Sequence, residues 1–129
     1  MEFTFTLDGD RVEEDCRALE GFLDLELRGA ITSASRLIRD ESRASHLYVD
    51  RTGNLTRSIR ALPTTGRATL GTLSAGVTAT MPYARYVEDG TDRSRAYQYL
   101  FLAWYVNREA VAQLCGDAID NAVYRVGLR

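Results

Sequence analysis

The sequence contains no lysine, one histidine and two cysteines in 129 residues, and these shortages exclude several kinds of site. Without lysine, its glycines cannot form a nucleotide-binding phosphate loop, which needs a lysine to contact the phosphates. His46 has no serine or cysteine partner suggested by the sequence, so we interpret it as a loop or helix-end residue and not as a general base. Cys16 and Cys115 have no other cysteine or histidine at ligand spacing, which excludes a zinc site and a disulfide framework. We expect both to be buried free thiols.

Long apolar stretches and a strong net charge are also missing. No segment approaches the ~20 apolar residues of a membrane-spanning helix, and the first residues lack the basic start and apolar run of a signal peptide. The net charge of -2 and the pI of about 5.4 provide no basic field for strong nucleic-acid binding. With 45% hydrophobic residues, we expect the chain to form one domain, residues 1–129, around one core. No metal or other cofactor is expected.

Hydrophobic periodicity predicts a strand and then a long helix in the first third of the chain. Phe3, Phe5 and Leu7 alternate with polar residues, which is typical of a half-buried strand. Asp10 can cap a helix that runs to about Ser45, with a break allowed at either of two glycines, Gly21 and Gly29. The predicted apolar stripe comprises Val12, Cys16, Leu19, Leu23, Leu27, Ala30, Ala34, Leu37 and Ile38.

The middle of the chain predicts a short helical turn and a β-hairpin. Asn54 can cap a turn over residues 55–58, and a first strand is predicted to end near Leu62. Alternation over residues 68–81 predicts a second strand, with the hairpin turn at residues 64–67. Gly71 and Gly76 leave room for a bulge.

A second helical pattern covers the last third of the chain, from Tyr97 to about Val126. Its predicted buried stripe comprises Leu100, Ala103, Trp104, Val111, Leu114, Ala118, Ile119 and Ala122. The order of elements predicts an α+β fold, a small antiparallel sheet with a β-hairpin packed against two long helices and one short helix.

The segment Pro82–Thr91 has the pattern of a docking element. Pro82 suits the first position of a short helical turn, where its missing N–H costs nothing. Tyr83, Tyr86 and Val87 share one face, and Gly90 can end the turn with a positive φ.

Three segments in this part of the chain resemble motifs of a phage family. Residues 50–59, 82–91 and 96–103 are similar, in order and spacing, to D-T-G-x-L-x-x-S-I, Y-A-x-Y-V-E-x-G-T and A-x-P-F-L-x-x-A of the neck, or head-tail connector, proteins of long-tailed double-stranded DNA phages, often labelled tail components. Two departures are the additional residue Arg51 and the residue Gln98, where the family usually has proline.

The resemblance implies a structural virion protein without enzymatic activity. Such a protein forms a ring, sixfold or twelvefold, in the neck between head-closure or connector proteins and tail completion or terminator proteins. It joins the DNA-filled head to the tail, continues the DNA channel with passive contact to DNA, and needs no membrane. Its place would be the virion neck, after assembly in the host bacterial cytoplasm. Tail completion and tail terminator proteins are alternatives of similar size and layout.

Tyrosines and arginines crowd around the central motif, a composition expected of interfaces between subunits. We therefore predict that these residues contact neighbouring subunits: Tyr83, Arg85, Tyr86, Glu88, Asp89, Thr91, Arg93, Arg95, Tyr97, Tyr99, Arg57 and Arg67. Core packing is predicted for Trp104 and Phe101, and the hairpin around Gly66 is a candidate arm. All sixteen basic residues are arginines, for which coding bias is a simpler explanation than interface ion pairs.

Two other function classes stay open at this point. The same aromatic residues suit a small peptide- or nucleic-acid-binding module, although acidic residues lie among the arginines that a stacking groove would need. An enzyme would need several catalytic side chains brought together, and Glu88 with Asp89 could form a carboxylate pair for acid/base catalysis. Adjacent helical residues point in different directions, so a solvated or interface pair is the better interpretation.

Overall fold

The computed structural model describes residues 1–4, 8–68 and 71–128, and the elements found there form the predicted α+β fold. In chain order they are α1 (Gly9–Ala44), α2 (Asn54–Ser58), β1 (Ile59–Arg67), β2 (Thr72–Ala79), α3 (Ala84–Asp89) and α4 (Tyr99–Gly127). The two strands form one antiparallel sheet, and α1 contacts both strands and α4.

Helix α1 is continuous through both of its interior glycines, at a length of about 54 Å for a rise of ~1.5 Å per residue. Its N-terminal cap is Asp8 and not Asp10, because the Asp8 side chain accepts a hydrogen bond from the Arg11 amide at 3.2 Å. Residues 1–4 form no strand, and the rest of the strand predicted there, Phe5 and Leu7, lies outside the described residues.

The first strand of the hairpin is longer than predicted, the second is shorter than the predicted residues 68–81, and the turn lies further along the chain. Residues 64–67 belong to β1, where Arg67 pairs with Thr72, so the turn prediction was wrong. The pairing register shifts between Leu62 and Thr65, so the irregularity lies at Pro63 and Thr64 of β1 and not at Gly71 or Gly76. Proline has no N–H to donate to the ladder, and a bulge leaves such a residue unpaired while the strand continues beyond it.

Helices α1 and α4 pack antiparallel along a seam of small residues. The Ser42 hydroxyl donates to the Tyr99 carbonyl at 3.2 Å near one end, and Arg125 pairs with Glu26 at 3.0 Å near the other. The buried apolar residues of the two helices are Ala30, Ala34, Ala103, Ala118, Ala122 and Tyr99. Alanines let the helix backbones approach closely, so most large apolar side chains of α4 lie outside the seam.

The main cluster of large buried side chains lies at the C-terminal end of α1. Tyr48, Leu55, Ile59, Ala84 and Tyr99 form it, and the rings of Tyr48 and Tyr99 meet edge to face at 5.2 Å between centroids. The cluster joins the loop after α1 to α2, β1, α3 and the start of α4. It therefore fixes the position of the Pro82–Thr91 segment.

The opposite end of α1 extends beyond the described parts of α4 and the hairpin. The Arg125 guanidinium near the end of α4 lies over the Phe22 ring, 5.9 Å from its centroid, and the hairpin tip meets α1 at Asp24. Residues 9–14 before these contacts are exposed at every position. We call residues 8–20 the acidic arm, because they carry six carboxylates and two arginines.

Candidate assembly surface

The Pro82–Thr91 segment contains a short helix, as its sequence predicts, but α3 begins at Ala84 after Tyr83 as its N-terminal cap, so Pro82 lies before the helix and not at its first position. Helix α3 ends at Gly90, whose φ is 79°, a value that glycine adopts at little energetic cost. A Cβ added to Gly90 would lie 2.7 Å from the Ala96 nitrogen, so the chain returns close to this glycine. The Tyr97 amide then donates to the Val87 carbonyl at 2.9 Å, which ties residues 95–98 to the end of α3.

Glu88 is a predicted interface residue, and the structure places its carboxylate at the start of α4. It accepts hydrogen bonds from the backbone amides of Leu100 at 2.9 Å and Phe101 at 3.1 Å. These are the second and third residues of α4, the amides that an N-terminal cap normally satisfies. Gln98, the residue before α4, makes no side-chain cap. Glu88 thus performs this function from a different helix.

Tyr99 is a predicted interface residue whose side chain lies in the core, where it is 2% exposed. Its hydroxyl donates to the Ala84 carbonyl at 3.1 Å, and burial raises the pKa of Tyr99 well above its usual value. The periodicity of α4 turns this tyrosine toward α1 and α3. Its side chain therefore packs beneath α3 and is not exposed to another subunit.

The exposed part of the motif is a patch of aromatic and charged side chains. Tyr83 is 41% exposed and Tyr86 58% exposed, and Arg95 lies 4.9 Å from the centroid of the half-buried Tyr97 ring. The other exposed predicted residues on α3 and the loop after it are Arg85, Asp89, Thr91 and Arg93. Together these residues form the α3 patch, and their contact with other subunits stays a prediction.

The two remaining predicted residues lie elsewhere. Arg57 belongs to α2, where its guanidinium donates to the Thr52 carbonyl at 3.0 Å and to the Asn54 side chain at 2.8 Å. Arg67 lies at the hairpin tip near Asp24. The sequence had placed Arg57 in the short turn over residues 55–58 and Arg67 in the hairpin, and contact of either with another subunit stays a prediction.

A groove of about 460 Å³ separates α3 from the loop that follows α1. Its lining includes Tyr48, Val49, Arg51, Tyr83, Val87 and Tyr97. Asp50 also lines the groove, but its carboxylate accepts from the amides of Gly53 at 2.9 Å and Thr56 at 3.0 Å. Hydrogen bonds from Thr56 and Gly53 hold the pKa of Asp50 below its usual value.

The outer face of α4 is a second exposed aromatic surface, which the sequence interpretation assigned to the core. Phe101 is 50% exposed on this face, and Trp104, 47% exposed, lines a groove of about 420 Å³ beside α1 and β2. Neither is buried in the core, so that prediction was wrong. Phe101 stacks on Tyr105 at 6.1 Å between centroids, and the Arg108 guanidinium lies 3.9 Å from the Tyr105 centroid. Ile119, 45% exposed, was also placed in the buried stripe. A usable signal was that α4 has apolar residues on more faces than one partner helix can cover.

The polar groups of the described residues are arranged for structure more than for chemistry. His46 stacks on the Tyr48 ring at 3.9 Å, and its Nδ1 lies 3.0 Å from the Tyr48 carbonyl oxygen. Cys16 is exposed and Cys115 half-buried, so the expectation of two buried thiols was wrong. Within residues 1–4, 8–68 and 71–128, no three His, Cys, Asp or Glu side chains lie together as metal ligands. No described helix is long and apolar enough to span a bilayer.

Comparison with known families agrees with the resemblance noted in the sequence. The family model that matches the chain is described as bacteriophage HK97 gp10, a tail component, and the match covers residues 23–90. This range is more than half of the chain and runs from the middle of α1 through the hairpin to Gly90 at the end of α3. No curated protein and no solved structure matches the chain.

Proposed function

Because the chain belongs to the HK97 gp10-like family of phage tail components, we propose that it forms a ring in the phage neck that joins the DNA-filled head to the tail. Family membership supports a structural role in the virion and contact with other phage structural proteins. The ring, its position between head-closure proteins and tail completion or terminator proteins, and its continuation of the DNA channel are the proposed part. Six or twelve copies are the numbers we propose.

The observation that carries this proposal is the amount of large apolar surface that the single chain leaves exposed. Exposed patches of this kind mark interaction sites. In the described part of α4 and at the residue that follows it, the exposed large apolar side chains are Phe101, Leu102, Trp104, Tyr105, Val106, Ile119, Val123, Tyr124 and Leu128. Tyr83 and Tyr86 add exposed aromatic area on α3. A ring uses two different surfaces on each copy, and the α3 patch is one of them. The exposed face of α4 is then available for other virion proteins.

Electron microscopy of particles made with and without the gene tests the proposed role. Separate filled heads and finished tails without the gene would support the joining role. Tails of abnormal length would support a terminator instead, and normally joined particles would contradict both. Rings in joined particles should show six or twelve copies of this chain.

A double substitution tests the α3 patch specifically. Replacing Tyr83 and Tyr86 with alanine should abolish joining while heads and tails still form, because partly exposed tyrosines contribute strongly at interfaces. The matched control is Leu25→Ala, since this leucine is 56% exposed on α1 and belongs neither to the α3 patch nor to α4. An unchanged infectious yield of the double variant would contradict the interface role.

A further inference from the structure

The small net charge of the chain conceals an uneven distribution along its length. The acidic arm carries six carboxylates and two arginines, whereas residues 28–95 carry eleven arginines and six carboxylates. The long helix α1 separates the arm from the loop and α3 that follow its other end. The molecule therefore has an acidic pole and an arginine-rich body, which favours association of copies in a head-to-tail direction.

The acidic arm is also amphipathic and has apolar side chains that the described residues do not cover. Val12, Cys16 and Leu19 follow at spacings of four and three, so they lie on one face of α1. Val12 is 43% exposed, Cys16 is exposed and Leu19 is half-buried. Glu13 and Glu20 lie along one edge of this stripe, where Glu13 also pairs with Arg17 in the exposed arm. A helix of this kind gains stability when its apolar stripe is placed in a groove with basic residues at its edge.

The groove beside α3 has the complementary properties. Val49 is 83% exposed at its edge, and Tyr83 and Tyr97 provide aromatic surface inside it. Arg51 lines the groove, and Arg95 lies over the Tyr97 ring. Arginines beside exposed aromatic rings suit a partner that is apolar on one face and acidic around it.

We propose that the acidic arm of one copy docks into the α3 groove of the next copy. Residues 16 and 44 of α1 are about 42 Å apart at ~1.5 Å per residue, so the arm cannot reach the groove of its own chain. Arm and groove are different surfaces, so each copy can bind one neighbour with its arm and another with its groove, as a closed ring requires. The inference rests on the proposed ring and specifies which surfaces form it.

Thiol cross-linking tests the contact directly, because the arm already has an exposed cysteine. In a Cys115→Ser background, Val49→Cys places a second thiol at the groove edge. A short bismaleimide should then link Cys16 to residue 49 of the next copy, giving dimers and longer multimers of this chain on denaturing gels. The matched control is Val123→Cys, which is 56% exposed on α4 and should give at least tenfold less multimer.

The cross-linking should be done in virions and with the purified chain, so that the two proposals fail separately. Multimers of this chain from Cys16 and residue 49 in either sample support the docking. Links from Cys16 to another virion protein, or equal multimer from the Val123→Cys control, overturn it and leave the neck role intact. Absence of the chain from virions contradicts the neck role whatever the purified chain does.

Charge reversal provides a second test that does not depend on the cross-linker. Glu13→Arg with Glu20→Arg should reduce multimers at least tenfold at low salt, and Arg51→Glu with Arg95→Glu should do the same. Combining all four substitutions in one chain should restore the multimers, because opposite charges meet again. Reversals on one side without effect, or no restoration in the combined variant, would overturn the proposed docking.

Discussion

Removal of the Glu88 carboxylate should destabilise the chain by about 2 kcal/mol. An N-terminal cap contributes about 0.5 to 2 kcal/mol, and a negative charge near a helix N-terminus contributes about 0.3 to 1 kcal/mol more. Glu88 makes both contributions to α4, through its hydrogen bonds to the amides of Leu100 and Phe101. The free energy of unfolding of a typical domain is about 5 to 15 kcal/mol, so this loss would be a large fraction of the stability.

The assay is urea unfolding of Glu88→Ala and Glu88→Gln beside the parent chain, with a thermal scan. For a domain of this size, about 2 kcal/mol corresponds to a fall in Tm of roughly 6 to 10 °C. Glu88→Gln should lose about half as much, because its amide oxygen can still accept one hydrogen bond without the charge.

The adjacent carboxylate provides the matched control. Asp89 pairs with Arg85 at 3.8 Å in an exposed position, and such pairs contribute about 0 to 1 kcal/mol. Asp89→Ala should therefore change the free energy of unfolding by less than about 0.5 kcal/mol. An equal loss from Glu88→Ala and Asp89→Ala would show that Glu88 does not cap α4, and would return Glu88 to the predicted interface.

Two further predictions concern the junction before α4 and the hairpin tip. Gln98→Pro should destabilise the chain by about 3 kcal/mol or more in urea unfolding. Proline cannot adopt the φ of 47° found at Gln98, and it has no amide N–H to donate to the Glu88 carbonyl as Gln98 does. Gln98→Gly is the control, and a proline variant as stable as the glycine variant would refute this argument. The Asp24 carboxylate accepts a hydrogen bond from the Ala68 amide at 2.8 Å, which lowers the pKa of Asp24 below its usual value of 3.8. The stability that this contact contributes is therefore fully present when the pH is above 3.8 and is lost as the pH falls below it. The protection factor of the Ala68 amide, which is its exchange rate corrected for the intrinsic rate at each pH, should therefore fall more steeply in acid for the parent chain than for Asp24→Asn. Identical pH profiles of the protection factor would count against this contact.

The elements that local sequence rules determine were predicted closely. Helix α1 was predicted from Asp10 to about Ser45 and observed as Gly9–Ala44, because apolar periodicity and a capping aspartate both act within a few residues. The end of α3 at Gly90 was confirmed for the same reason, since a positive φ is a local property of glycine.

The errors came from features that depend on contacts between distant segments. Pro63 suggested the end of a strand, but pairing with β2 resumes after the bulge and extends β1 to Arg67. The capping role of Glu88 depends on α3 lying beside α4, which no local pattern encodes. Trp104 was placed in the core because large apolar residues usually are, whereas the α1 and α4 seam is made of alanines. Of the predicted interface residues, Tyr99 has its side chain in the core, and contact of the exposed ones with other subunits stays a prediction.

The alanine seam has a consequence for how the stability of this chain should be measured. Alanine buries little apolar area, so most of the apolar surface of α4 can be removed from water only by other molecules. A partner that binds only the folded chain raises the apparent stability of the chain, and the increase grows with the concentration of the partner. If the partner is another copy, the Tm of this protein should rise with protein concentration. Thermal unfolding over a dilution series would then report on the assembly of the chain.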